Sequence, residues 1–261
     1  MKKTSLLLAL LLFALALLPV SAGADSKGVC GPALKWTLDN NGLLRITGKG
    51  KMDNGAFYLR TDIRNVIIDE GVTTIGDYAF MDCGNIETVI LPASLTSIGS
   101  LAFKICSSLA DFAIPDKVTW IGSEAFYGCV SLVNIVIPEG VTDIWKHTFF
   151  RCISLESVSV PEGVTSVGIE AFGQCGFLTG IFLPDSLNKI EMSAFSGCAS
   201  LETVVIPNKN TTIDYYVFTD CSDTLTVYCP AGSRAQQYAQ GEGIRTAALS
   251  AAPQPRIPDQ E

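Results

Sequence analysis

The feature that most constrains the fold of this chain is an unbroken period of 23 residues. Phenylalanine recurs at that spacing as Phe80, Phe103, Phe126, Phe149, Phe172, Phe195 and Phe218. Cysteine follows each phenylalanine by three residues, as Cys83, Cys106, Cys129, Cys152, Cys175, Cys198 and Cys221. A branched aliphatic residue precedes each phenylalanine by five residues, as Ile75, Ile98, Ile121, Ile144, Val167, Ile190 and Ile213. A fixed period of roughly 20 to 29 residues with apolar slots predicts a solenoid whose coils stack only on their neighbours.

Within one unit, the order of apolar residues predicts short extended segments. In the unit that begins at Leu132, the side chains of Leu132, Ile135 and Ile137 are expected to point inward. Pro138 ends this strand, because proline has no amide N–H to continue a ladder, and a turn leads into a second short strand. Proline occupies this slot at positions 92, 115, 138, 161, 184 and 207. Each coil is therefore predicted to contain two short strands and a tight helical or irregular turn around its phenylalanine.

These units resemble a known repeat. Residues 71–80 resemble the signature Val-Thr-x-Ile-Gly-x-x-Ala-Phe of BspA-like leucine-rich repeats, and the signature recurs at residues 118–126. Residues 36–48 resemble the hairpin that opens such arrays, and Asn41-Gly42 between apolar stretches is by itself a strong hairpin signal. The resemblance covers residues 30–245. It implies a surface or secreted protein of a host-associated microbe, in many cases an adhesin.

The predicted fold class is a β-rich leucine-rich-repeat solenoid with about seven clear 23-residue coils. A degenerate first coil precedes them, with Phe57 in register with Phe80. The predicted segments are a signal peptide over residues 1–24, an N-terminal hairpin cap over 25–56 and the solenoid over 57–224. A C-terminal cap with a short helix follows over residues 225–243, and an Ala- and Pro-rich disordered tail covers residues 244–261.

The N-terminal residues predict export. Lys2 and Lys3 precede an apolar run over residues 6–20, and small residues follow at positions 22–24. This order of basic, apolar and small segments is typical of a cleaved secretory signal peptide. A retained membrane anchor is the alternative, although the run is shorter than the roughly 20 residues that span a bilayer. We expect a secreted or cell-surface chain that begins at Asp25, with no membrane insertion after the signal is removed.

The net charge of the chain indicates which classes of partner it can bind. Removal of Lys2 and Lys3 changes the formal net charge from −8 to −10. A chain with that balance repels phosphate, and no run of Lys or Arg offers a basic track, so nucleic acid is not expected as a partner. The expected partner is a host or neighbouring-cell protein or glycan.

The repeat cysteines have three interpretations. An exported chain with many cysteines suggests disulfides, but zinc sites pair two cysteines within a few residues, which this period does not do. Buried free thiols are the favoured interpretation, since cysteine fits a small core slot. Disulfides between stacked coils stay an alternative, because neighbouring coils are only about 5 Å apart. Cys30 and Cys229 belong to opposite caps, too far apart to pair with each other.

Catalysis is not predicted. His147 is the only histidine, with Asp143 and Cys152 in the same coil. An enzyme centred on His147 can be imagined, but Cys152 occupies the buried slot, where a nucleophile is inaccessible. Residues 39–42 superficially resemble a calcium loop, yet they lack its ligand series and already form the predicted hairpin turn. We therefore expect no enzyme, no metal site and no cofactor.

A binding surface is predicted from aromatic residues at outward slots. Trp120 stands six residues before its phenylalanine, and Trp145 replaces the glycine of other coils four residues before its own. Both should point away from the core, roughly 7–8 Å apart. Interface hot spots are enriched in aromatic residues and arginine. The candidate ligand-binding residues are Trp120, Trp145, His147, Tyr127, Phe150 and Arg151.

Three alternatives to this surface stay open. The aromatic residues could only cover an irregular coil or a dimer contact. A passive surface spacer is the second alternative, which predicts no excess of exposed aromatics in any one coil. The third is an apolar column on the outward face of the strands, formed by Ile90, Ala113, Val136, Ser159, Phe182 and Val205. That column has an equally good structural explanation, because β-branched residues suit strands.

Overall fold

The computed structural model describes residues 24–254 and shows a β-solenoid of about 9 turns with a repeat of ~23 residues. The expected signal peptide, apart from residue 24, lies outside the described residues. The N-terminal cap and the first strands of the coils are β1 (Ala24–Gly31), β2 (Leu34–Asp39), β3 (Leu43–Gly48), β5 (Asn65–Ile68), β7 (Thr88–Ile90), β10 (Asn134–Val136), β12 (Ser157–Ser159), β14 (Gly180–Phe182), β16 (Thr203–Val205) and β18 (Thr226–Tyr228). The second strands are β4 (Gly50–Lys51), β6 (Val72–Ile75), β8 (Ser97–Ile98), β9 (Trp120–Ile121), β11 (Asp143–Ile144), β13 (Ser166–Val167), β15 (Lys189–Ile190) and β17 (Thr212–Ile213).

The predicted hairpin opens the array. Strands β2 and β3 pair antiparallel, and Gly42 in the turn between them has a φ of 81°, a conformation that glycine adopts without strain. The Asp39 carboxylate accepts hydrogen bonds from the backbone N–H groups of Asn41 and Leu43, both at 2.9 Å. Strand β3 then pairs in parallel with β5. The cap therefore continues directly into the first-strand sheet of the solenoid.

A continuous stack of phenylalanine rings forms the centre of the core. The rings run from Phe57 to Phe218, with neighbouring centroids 5.2–5.7 Å apart and interplanar angles of 3–15°. Phe57 is buried in this stack, which confirms that a degenerate coil precedes the seven clear ones. Each ring is covered by the coil before it and the coil after it. The 23-residue period is thus the spacing that keeps identical side chains in one column.

The turn around each phenylalanine is irregular, not helical. The thirteen non-glycine residues with positive φ, between 50° and 63°, all lie two residues before or two residues after a ladder phenylalanine. This left-handed conformation costs roughly 1–2 kcal/mol per residue. It aims the backbone N–H at the next coil, as in the bonds from Tyr78 N to Ser100 O at 2.9 Å and from Asp82 N to Lys104 O at 2.8 Å. The inter-coil ladder offsets the strain, and side chains at these positions lie at the rim of the coil.

The cysteine column is buried, as predicted for the repeat slot. All nine cysteines are free thiols. Six of the seven repeat cysteines are buried, and Cys221 is partly accessible. Each repeat thiol donates a hydrogen bond to the carbonyl of the phenylalanine one coil back, as Cys152 Sγ does to Phe126 O at 3.2 Å. Burial raises the pKa of the Cys129 and Cys175 thiols to about 12. The slot therefore has apolar walls and one polar acceptor.

The C-terminal cap contains helix α1 (Arg234–Gly241). The Ser233 side chain caps it by accepting a hydrogen bond from Gln236 N at 3.1 Å, as the sequence predicts for a short capping helix. Ala235 and Ala239 are buried against the last coil. The Tyr238 hydroxyl accepts a hydrogen bond from Val217 N at 3.0 Å. The helix thus covers the end of the phenylalanine stack.

The expectation of a disordered tail from residue 244 is wrong for its first part. Strand β19 (Arg245–Ala247) pairs in parallel with β18, and a 3-10 helix follows at Leu249–Ala251. The physical reason is that β18 would otherwise present an unpaired edge at the end of the sheet. A three-residue edge strand without alternating apolar residues gives no signal in composition. Residues 255–261 lie outside the described residues.

Candidate binding surfaces

Two exposed tryptophans lie side by side on the second-strand ladder. Trp120 is in β9 and Trp145 directly follows β11. Their exposed fractions are 47% and 37%, and their ring centroids are 5.0 Å apart with planes tilted by 46°. The indoles are closer than the spacing of roughly 7–8 Å expected from strand geometry. Both point away from the core, as the sequence indicates.

The slot four residues before each ladder phenylalanine is a glycine in several coils and a tryptophan in the coil of Phe149. Trp145 stands where Gly99 and Gly168 stand in other coils. A Cβ atom at Gly99 would lie 2.6 Å from the backbone N of Asp77, and one at Gly168 would lie 2.7 Å from the backbone N of Lys146. The slot therefore requires close approach of one coil to the backbone of the coil before it. A tryptophan in this slot has a side chain that such a close approach does not accommodate.

The second-strand ladder is interrupted at this position. Strands β4, β6, β8 and β9 form one sheet, and β11, β13, β15 and β17 form another. The slot residue normally donates to the preceding coil, as in the bond from Gly168 N to Ile144 O at 2.7 Å, but within residues 24–254 Trp145 N has no equivalent bond. Glu191 in the same slot keeps its bond to Val167 O at 2.8 Å, and its carboxylate also accepts from Ile169 N at 3.2 Å. The tryptophan pair thus lies where the second-strand ladder is interrupted.

A second group of rings lies around the turn of the same coils. Tyr127, His147 and Phe150 have ring centroids 5.2–6.2 Å apart, and all three are partly exposed. The Lys104 ammonium lies 4.3 Å from the centre of the Tyr127 ring, a cation–π arrangement. Lys104 also forms an ion pair with Glu124 at 2.7 Å. This group is therefore aromatic and charged.

His147 lies between two carboxylates of its own column. Glu124 and Glu170 occupy the same left-handed position in the coils before and after it. Their oxygens lie 3.9 Å from Nδ1 and 3.4 Å from Nε2 of His147. In residues 24–254, no three His, Cys, Asp or Glu side chains form a group that could hold a metal ion. His147 is thus held by surface carboxylates in a stack of three side chains.

Five of the six predicted residues form two separate groups. No ring contact joins the Trp120–Trp145 pair to the group of Tyr127, His147 and Phe150 in the part of the chain that the structure describes. Arg151 is exposed in its left-handed position and has no ion-pair partner among the described residues. The structure brings the two tryptophans together and brings the three other rings together. It does not merge them into one surface.

The imagined catalytic arrangement around His147 is not assembled. Asp143 accepts hydrogen bonds from Ser166 and Thr142, and makes none with His147 among the described residues. Cys152 is buried, and desolvation raises the pKa of its thiol well above the usual value. A thiol in this state is a poor nucleophile. His147 has neither the orienting carboxylate nor the nucleophile that was imagined for it.

Five further aromatics that are exposed among the described residues were not singled out from the sequence: Tyr58, Tyr78, Phe177, Tyr215 and Tyr216. The exposed fractions of Tyr215, Tyr216 and Phe177 are 79%, 63% and 58%. Tyr216 occupies the same left-handed turn position as His147, two residues before a ladder phenylalanine. A search of that position in every coil could have found this exposed aromatic. Phe177 lies beside a groove of the first-strand face.

Comparison with known proteins agrees with this architecture. The family model for the BspA type leucine rich repeat region matches residues 50–153 and 142–238, in six copies. A leucine rich cell surface protein from Faecalibacterium prausnitzii A2-165 is 23% identical, over 79% of this chain and 77% of that one, with a TM-score of 0.50. The leucine rich repeat protein of T. pallidum is 22% identical, over 85% of this chain and 94% of that one, with a TM-score of 0.49. No curated protein matches the chain.

Proposed function

The chain belongs to the BspA-type leucine rich repeat family, and from that premise we propose that it is a non-catalytic scaffold that binds a protein or a glycan at the cell surface. The family is typical of bacterial surface proteins. The observation that carries the proposal is the exposed Trp120–Trp145 pair, which lies at the interruption of the second-strand ladder. Two large apolar rings that are exposed to solvent and in contact with each other favour an interaction site.

The geometry of the pair suits a ligand with an apolar face. Because the two indole planes are tilted by 46°, they form a shallow angle in which a side chain or a sugar ring can pack. The backbone carbonyl of Trp145 accepts a hydrogen bond from the buried Thr148 hydroxyl at 2.8 Å, which holds the strand end in place. A positioned aromatic pair loses little conformational entropy on binding. Tyr127, His147, Phe150 and Arg151 are proposed as a second contact region around the adjacent turn.

Export by a cleaved signal peptide is part of the proposal. It rests on the basic start, the apolar run and the small residues at positions 22–24. None of the helices in residues 24–254 has the length and apolar character needed to cross a membrane. The intact mass of the exported protein should correspond to a chain that begins at Asp25. A mature product that keeps the apolar run would contradict this.

Two other functions are less well supported. A passive spacer needs no cluster of exposed aromatics, whereas Trp120 and Trp145, from adjacent coils, contact each other at the surface. An enzyme centred on His147 needs a nucleophile or a general base partner, whereas Cys152 is buried and Asp143 bonds elsewhere. A binding scaffold is the function that these contacts favour.

The test is a binding assay with the chain that begins at Asp25 against extracellular matrix proteins and a glycan array. The Trp120→Ala/Trp145→Ala variant should bind the identified ligand about 30-fold more weakly, because interface tryptophans are typical hot spots. The matched control is Tyr215→Ala/Tyr216→Ala, which removes two exposed aromatics of another coil and should leave affinity unchanged. Undiminished binding by the tryptophan variant, at an unchanged thermal midpoint, would remove this surface from the proposal. Failure to bind any protein or glycan would favour the spacer.

A further inference from the structure

A groove of about 800 Å³ crosses the first-strand face between β12 and β14. Ser159 of β12 and Phe182 of β14 belong to the outward column of these strands and line it, together with the exposed ring of Phe177. Pro253 and Gln254 lie at its rim. The groove is on the ladder that does not carry the tryptophan pair, so a ligand here would be separate from the proposed tryptophan site.

The groove coincides with an interruption of the first-strand ladder. Strands β10 and β12 form one sheet, and β14, β16, β18 and β19 form the next. In the following coil, Glu202 N donates to Thr179 O at 3.0 Å, but in the described part of the chain Thr179 N makes no such bond to Glu156 O. Val160 N likewise lacks the bond to Phe182 O that its counterpart Leu183 N makes to Val205 O at 3.0 Å. Two hydrogen bonds of the ladder are therefore missing between β12 and β14, where the groove lies.

A missing side chain deepens the groove. Gly180 occupies a column in which neighbouring strands carry Ser157 and Thr203. A Cβ atom at Gly180 would lie 3.4 Å from Thr203 Cβ, an ordinary contact, so no steric conflict requires glycine here. The absence of a side chain leaves the floor of the groove open between its two neighbours. A threonine at this position, as in the following strand, would place its side chain in that space.

All charged side chains that line the groove are acidic. Glu156, Glu162 and Glu202 line it, no Lys or Arg does, and none of the three glutamates is in an ion pair among the described residues. Glu156 and Glu202 occupy the same slot two coils apart, about 10 Å along the stack at ordinary strand spacing. A cation midway between them would be within reach of both carboxylates. Phe177 and Phe182 add aromatic surface beside that position.

From this arrangement we propose that the groove binds an extended peptide that carries an arginine. The guanidinium lies between Glu156 and Glu202, because its planar fork pairs with carboxylates and stacks on aromatic rings. The peptide lies across the outward face of β12 and β14, and the apolar neighbours of its arginine pack on Phe182. The acidic and aromatic side chains of the groove thereby form the recognition surface.

The test uses fluorescence polarisation with the chain from Asp25 to Glu261 and a labelled peptide of alternating valine and threonine with one central arginine. Replacement of that arginine by citrulline, which keeps the shape and removes the charge, should weaken binding about tenfold. Gly180→Thr should weaken it similarly by filling the floor. The Glu156→Gln/Glu202→Gln variant should also lower affinity, whereas the control Glu139→Gln, an exposed glutamate outside the groove, should not.

The outcomes of this test distinguish an arginine-containing peptide from other occupants of the groove. Equal affinity for the arginine and citrulline peptides, or unchanged affinity in Gly180→Thr at an unchanged thermal midpoint, overturns the proposal. Binding that appears only after truncation at Ala252 also overturns it, and would assign the groove to the C-terminal segment of the chain itself. The Trp120→Ala/Trp145→Ala variant should bind the peptide normally, which separates this proposal from the proposed tryptophan site.

Discussion

At the scale of single residues, the phenylalanine stack carries most of the packing. Phe149 is 1% exposed, and its ring lies 5.5 Å from Phe126 and 5.4 Å from Phe172. Phe150, next to it in sequence, is partly exposed and contacts Tyr127 and His147 instead. Adjacent phenylalanines thus have different roles, because one points into the stack and the other lies at the rim.

Phe149→Ala should lower the free energy of unfolding by about 3–5 kcal/mol, since the rings above and below are fixed by their own coils and cannot close the cavity. Urea unfolding followed by circular dichroism measures this change. Phe150→Ala is the matched control and should cost much less. Equal costs for the two variants would show that the stack does not behave as a close-packed core.

The cysteine slot differs in one respect from its sequence interpretation. The sequence indicates a small apolar core slot. The structure supplies a backbone acceptor, since Cys152 Sγ lies 3.2 Å from Phe126 O. A hydroxyl at this position would therefore find a partner, and Cys152→Ser should be less destabilising than burial of an unpaired polar group.

At the scale of secondary-structure elements, close approach between coils decides where the ladders continue. Gly122 permits the hydrogen bond from its N to Ile98 O at 2.9 Å, which extends the ladder from β8 to β9. One coil later Trp145 fills the same slot and the ladder stops. The ladder continues through coils with Gly, Glu or Asp in this slot and stops at the coil with Trp.

Gly122→Ala should lower stability by about 1–3 kcal/mol, because its Cβ would meet the backbone N of Ser100. Hydrogen exchange should become faster at the amides of Thr119 and residue 122, which pair with the preceding coil. Gly176→Ala is the control, since nothing lies within 4 Å of its added Cβ. Slow exchange at both amides in the Gly122 variant would contradict the role assigned to the slot.

At the scale of the whole molecule, the buried thiols make stability depend on alkaline pH. The pKa of Cys129 and Cys175 is about 12 in the folded chain, against 9.0 for an ordinary thiol. Above pH 9 the unfolded chain loses these protons while the folded chain keeps them. The folded state is therefore fully favoured below pH 9 and loses stability as pH rises toward 12.

Each such thiol should reduce the free energy of unfolding by up to about 1.4 kcal/mol per pH unit once the pH is well above 9. Urea unfolding at pH 8, 10 and 11 measures the slope. Cys129→Ala/Cys175→Ala is the control variant, in which the slope should fall by roughly 3 kcal/mol per pH unit. An identical slope in the variant and the parent chain would show that these thiols do not titrate on unfolding.

The sequence by itself determined the solenoid, its period, the phenylalanine and cysteine columns and both types of cap. It could do so because each coil contacts only its neighbours, so that a residue 23 positions away in sequence is also adjacent in space. Inward slots are restricted by packing, and their pattern is therefore visible as repetition. The signal for strand β19 was absent, because a short edge strand is selected by an unpaired neighbour and not by its own residues.

Only the tertiary structure decided how the outward residues are grouped. Trp120 and Trp145 were predicted as neighbours, but their separation from the group of Tyr127, His147 and Phe150 depends on side-chain directions that spacing does not fix. The interruptions beside Trp145 and between β12 and β14 depend on local hydrogen-bond geometry between coils. A hydrogen bond is lost through a small change in distance or angle, whereas the apolar pattern of the sequence is unchanged by it.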